Sequence, residues 1–127
     1  VSEPGSADAS RIWSSARLVV SSRLLYPEAR AALAGAARAG RVSARRLPSA
    51  RRELEDLWQD VACVEVARSL AARAGELAET YCLRGYDGVH LASVLEIDSI
   101  DTVLATADQG LARAAQALGV TTARLPV

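Results

Sequence analysis

The chain reads as an α/β domain with a parallel sheet covered by helices on both faces. Three observations predict it. Short apolar runs rich in β-branched residues (17–22, 61–66, 102–106, 121–125) alternate with longer segments of helical periodicity. That alternation is the pattern of parallel strands packed between helices. No internal repeat, low-complexity tract or linker interrupts it, and 127 residues suffice for one core, so a single domain over 1–127 is expected.

Taken in order, Glu3-Pro4-Gly5 is a loop, and Ser6 or Asp8 is suited to cap a short helix that ends near Ala16. Arg17–Ser22 is a buried strand bounded by serines. A helix follows over Leu24–Ala39, with Pro27 in its first turn and Gly40 at its end. Pro48 starts the next helix, which carries Leu54, Leu57 and Trp58 as far as Asp60. Val61–Val66 is the second strand. The helix Ala67–Tyr81 places Leu70, Ala71, Ala74, Leu77 and Ala78 on one face. An apolar-striped helix opening near Asp87 runs to Ile97. Strand Thr102–Thr106, a helix from Asp108 to Gly119 and strand Thr121–Leu125 complete the chain.

Composition narrows the possibilities. Half of the residues are hydrophobic, yet Phe and Met are absent and Trp occurs twice, so Ala, Leu and Val must build the core. All 15 basic residues are Arg, and the formal charge is zero. That balance excludes the signature of a strongly basic nucleic-acid binder but permits a local patch. Cys63 and Cys82 form no CxxC or Cys/His cluster, which argues against zinc and a disulfide framework. No apolar run approaches a membrane span and no charged-then-apolar leader precedes the domain, so a soluble, cytoplasmic protein without a membrane partner is expected.

Chemistry concentrates in three acids. Ligands of open parallel sheets gather at the carboxyl ends of strands. Asp108 lies directly after such an end, Glu28 lies on the helix following another, and Asp87 opens a helix. Each has a structural reading: Asp108 as a helix N-cap, Asp87 and Glu28 as first-turn charges favoured by the helix dipole.

Their neighbours add a family resemblance. Leu83, Arg84, Asp87, His90, Leu91 and Ala92, followed by Thr106, Asp108 and Leu111, resemble the C-terminal half of PIN-domain nucleases, most closely the VapC-type toxins of bacterial toxin–antitoxin pairs. Upstream, Ser22-Arg23-Leu24-Leu25-Tyr26-Pro27-Glu28 resembles the family's second acidic motif, which maps to Glu28 alone. The resemblance implies a three-layer α/β/α fold and a Mg²⁺- or Mn²⁺-dependent endoribonuclease. It implies Glu28, Asp87 and Asp108 as catalytic metal ligands in one pocket, with Thr106 assisting through its hydroxyl. Such cations prefer carboxylate and water oxygens. A bound cation also relieves the repulsion among packed carboxylates, so neutralising Asp87 is expected to raise stability without metal. RNA, a small antitoxin protein and homodimerisation are implied as partners.

Family members open with a strand ending in an aspartate, the first metal ligand. Here Val1-Ser2-Glu3-Pro4-Gly5 resembles the loop beyond that strand, and Asp8 is no substitute for the ligand. The first strand is therefore expected to be missing from the sheet interior, between 17–22 and 102–106, leaving two strand edges and an incomplete site. A true start upstream of Val1, a fragment, or a natural degenerate form would each account for it, the first being preferred.

Other residues carry paired readings. His90 shares a helix face with Asp87 and is read as structural rather than as a general base, because Val89, Leu91 and Ala92 surround it. Arg38, Arg41, Arg45, Arg46, Arg51 and Arg52 are read as a solvated face rather than an RNA grip, since Glu53, Glu55 and Asp56 follow. Arg23 and Arg84 are better placed to touch a phosphate. Tyr26 and Tyr86 could stack bases or simply pack. Two rival functions stand: a catalytically impaired module that only binds an antitoxin, and a receiver-like phosphate-binding domain. The latter would want a late lysine, and the chain has none.

Overall fold

The computed structural model describes residues 6–125. The loop expected at Glu3-Pro4-Gly5 lies outside them. The described elements are α1 (Ser6–Ser15), β1 (Val19–Ser22), α2 (Leu25–Arg38), α3 (Leu47–Gln59), β2 (Val61–Val64), α4 (Arg68–Tyr81), α5 (Gly85–Ile97), β3 (Val103–Thr106), α6 (Gln109–Ala117) and β4 (Thr121–Arg124). The fold is α/β with parallel strands, as the alternation predicts.

The strands form two parallel pairs rather than one continuous ladder. β1 pairs with β2 from Val19 opposite Val61 to Ser22 opposite Val64. β3 pairs with β4 from Val103 opposite Thr121 to Thr106 opposite Arg124. Among the described residues no strand joins β1 to β3. Helix α5 links the halves instead, lying along α4 and touching β1 and α6. The strands are also shorter than the apolar runs. Leu18 stays 65% exposed ahead of β1, and β2 stops before Glu65, whose side chain turns toward Arg23.

The core follows from the composition. Leu91, Val94, Leu111, Ala114, Ala115 and Val120 form one buried cluster, and Leu70, Ala74 and Ala92 another. Small side chains fill space only if backbones approach closely, and they do at Gly88. A Cβ there would lie 2.5 Å from the Ala74 carbonyl oxygen, so α4 and α5 meet backbone to backbone. The expected apolar stripe on the Asp87 helix is really burial on several sides. Asp87, Gly88, Leu91, Ala92, Ser93 and Val94 are all buried, because α4, α6 and β1 surround the helix.

The chain reverses tightly before this helix. Cys82 adopts the left-handed conformation (φ 55°), and the Leu83 N–H donates to the Ala78 carbonyl at 3.0 Å. That turn ends α4 and places Arg84 at the N-cap position of α5, immediately ahead of the acids.

Candidate functional site

Asp87 sits in the first turn of α5 and is buried, at 6% exposure. A carboxylate removed from water is costly unless a partner compensates it. The Arg84 guanidinium supplies that compensation, donating from Nε to Asp87 Oδ2 at 2.9 Å. Its Nη2 reaches Asp108 Oδ2 at 3.5 Å, so one cation serves both aspartates. The hydrogen bond to Asp87, then the negative charges of Asp87 and, more weakly, Asp108, push Arg84 above its ordinary range.

Asp108 divides its two oxygens. Oδ1 accepts from the Leu111 N–H at 2.9 Å and caps α6, while Oδ2 faces Arg84. The capping reading of this residue is met, and the oxygen left over from the cap is turned toward a guanidinium. Thr106, the last residue of β3, accepts the Asp108 N–H on its Oγ1 at 3.1 Å, which fixes the turn carrying the acid.

Glu28 lies in the first turn of α2 and meets His90 Nε2 through Oε1 at 2.8 Å. His90 follows Asp87 by three residues on α5, so Glu28 comes to the same helix face by way of the histidine. The His90 ring is mostly buried and sits edge-on to Tyr86, with centroids 5.8 Å apart. The structural reading of His90 acquires a definite content here: it orients Glu28.

The structure thus pairs Asp87 with Asp108 through Arg84, and Glu28 with His90. Among the described residues no three His, Cys, Asp or Glu side chains stand close enough together to hold a metal ion. The donor chemistry of the aspartate pair nonetheless suits a hard cation, since two carboxylate oxygens already share one positive group. The structure gives Asp87 a partner that bears on the expected gain in metal-free stability when it is neutralised. Asp87 is not left to repel Asp108 but is neutralised by Arg84, so its loss removes a partnered charge.

Other candidate contacts fall elsewhere. Arg23 donates to Glu65 at the carboxyl ends of β1 and β2, a hydrogen bond that draws the Glu65 carboxyl below its usual range. Asp8 pairs with Arg11 within α1, and Arg46 pairs with Glu53 within the Arg-rich segment. Tyr26 packs on Trp58 at 5.4 Å and bonds to Glu55 and Arg30, which makes it part of the α2–α3 contact. No helix among the described residues is long and apolar enough to cross a membrane.

Sequence reasoning missed two relations. The Arg84–Asp87 bond was available from its i,i+3 spacing at a helix start. The Glu28–His90 bond joins residues 62 positions apart, and no local pattern announces it.

A parallel α/β domain with carboxylates gathered at strand ends and helix starts defines the class. The chain belongs to the PIN-domain family, whose profile matches residues 2–117. Two proteins of Mycobacterium tuberculosis are similar to it: Ribonuclease VapC45 of strain CDC 1551 / Oshkosh and Ribonuclease VapC49 of strain ATCC 25618 / H37Rv. Each is 43% identical over 117 residues, covering 92% of this chain and 81% of the relative. The resemblance carried by Leu83–Val120 to VapC-type PIN nucleases is thereby borne out.

Proposed function

We propose that this protein is a Mg²⁺- or Mn²⁺-dependent endoribonuclease, the toxin of a toxin–antitoxin pair. The observation that carries the reading is the convergence of the Asp87 and Asp108 carboxylates on a single cation, in a chain similar to two proteins named ribonucleases. Asp87 and Asp108 would hold the metal, with Thr106 fixing the Asp108 turn and Glu28 standing outside the pair on His90. When bound, the metal supplies Lewis acidity and a water activated for attack on a phosphodiester. The chain's own groups do the positioning. His90 orients Glu28, the Leu111 N–H holds Asp108 Oδ1, and Arg84 stands beside the acids where a substrate phosphate would lie.

The partners proposed are RNA and a small antitoxin that covers the acidic groove with a basic side chain, with homodimerisation and a cytoplasmic location. A second reading is supported by one observation. Among the described residues the acids do not gather in threes, which suits an impaired module that binds its antitoxin without cutting.

The test is cleavage of single-stranded RNA with Mn²⁺ or Mg²⁺, with chelator, and by Asp87→Asn. Cleavage abolished by chelator and reduced at least about a hundredfold by the substitution is the expected result. Undiminished cleavage under either condition would overturn the metal role of Asp87. No cleavage by the unsubstituted chain, with antitoxin binding retained, would favour the second reading.

A further inference from the structure

We propose that Arg84 is the resident counter-cation of the Asp87–Asp108 pair, and that this guanidinium and a divalent metal occupy the pair in mutual exclusion. The inference rests on the metal-dependent reading above and names what the metal must displace.

Four observations lead to it. Arg84 contacts Oδ2 of both aspartates, which on Asp108 is the oxygen not engaged in capping. Asp87 is buried, so it needs a positive partner whether or not metal is present. Arginine remains charged at any ordinary pH, so it cannot vacate the pair by losing a proton and must move. Its side chain is free to do so, being 65% exposed.

The guanidinium also has somewhere to remain. Its central carbon lies 4.9 Å from the centroid of the Tyr86 ring, which is itself 38% exposed. An aromatic face attracts a cation without needing the carboxylates. Asp108 Oδ1 stays on the Leu111 N–H throughout, so exchange of the cation leaves the α6 cap intact. Arg84 thereby acts as a positioning residue, keeping two mutually repelling acids in place until metal arrives.

Calorimetric Mn²⁺ titration into the unsubstituted chain, Arg84→Gln and Arg84→Lys tests this, together with thermal unfolding with and without saturating Mn²⁺. Removing the competitor should tighten Mn²⁺ binding about three- to tenfold in Arg84→Gln. Lysine keeps the charge but not the planar fork, so Arg84→Lys should fall between and serves if the glutamine variant does not fold. Without metal both variants should melt below the unsubstituted chain, and saturating Mn²⁺ should close that gap. A merely structural arginine would leave the gap unchanged. Equal or weaker Mn²⁺ affinity in the variants overturns the exchange while leaving the metal reading intact. No Mn²⁺ binding by any of the three overturns both.

Discussion

A carboxylate has two oxygens, and Asp108 puts them to different uses, which allows its two roles to be separated by substitution. Asparagine keeps an oxygen for the Leu111 N–H and loses the charge facing Arg84. Alanine loses both. Asp108→Asn should therefore stay within about 0.5 kcal/mol of the parent stability, whereas Asp108→Ala should lose about 1 kcal/mol with its cap. Both should lose metal-dependent RNA cleavage. Chemical denaturation beside a cleavage assay reads the two effects, and an asparagine variant that cuts normally would reduce Asp108 to a cap. Of the site, what was legible in advance was local. The strand-then-aspartate order identified Asp108, and helix-start position identified Asp87 and Glu28. The histidine that holds Glu28 arrives through tertiary packing, which leaves no periodic trace.

Among the elements, α4 and α5 form the tightest junction, and its tolerance differs sharply between two glycines. Gly88 faces the Ala74 carbonyl so closely that a methyl group would stand 2.5 Å away, against backbone that cannot rotate aside. Gly88→Ala should destabilise by about 1–3 kcal/mol, as overpacking does. Gly75 is exposed in the middle of α4, and a Cβ there would meet nothing within 4 Å. Gly75→Ala should stabilise by about 0.5–1 kcal/mol through helix propensity and a less flexible unfolded chain. Equal melting temperatures for the two variants would show that the helices have room to separate. The α4 stripe was legible from spacing. Leu70 and Ala74 are buried and Leu77 and Ala78 partly so, although Ala71 is exposed. α5 was harder to read, because a helix covered on several sides lacks the polar face that defines a stripe.

At the scale of the whole molecule, the division of the strands into two pairs sets the distribution of stability. β1 and β3 each have one strand partner among the described residues, and each is four residues long. In a parallel ladder alternate amides point to opposite edges, so only part of each strand's backbone is secured by its partner. α5, by contrast, satisfies its amides internally and lies against α4, α6 and β1. Period and composition disclosed the strands and their parallel sense, and the family resemblance anticipated the gap between 17–22 and 102–106 at which the two pairs divide. Local opening should therefore begin at the strand edges and reach α5 only on global unfolding. Native-state hydrogen exchange should show the Leu91–Val94 amides as the slowest in the chain. Alternate amides of Val19–Ser22 and Val103–Thr106 should exchange at least about a hundredfold faster, a gap of about 3 kcal/mol in opening free energy. Adding Mn²⁺ should slow exchange around Asp87 and Asp108 by mass action while leaving the open edges of β1 and β3 little changed. Uniform protection across both strands and α5 would mean that the two halves open as one cooperative unit, with α5 alone sufficient to couple them.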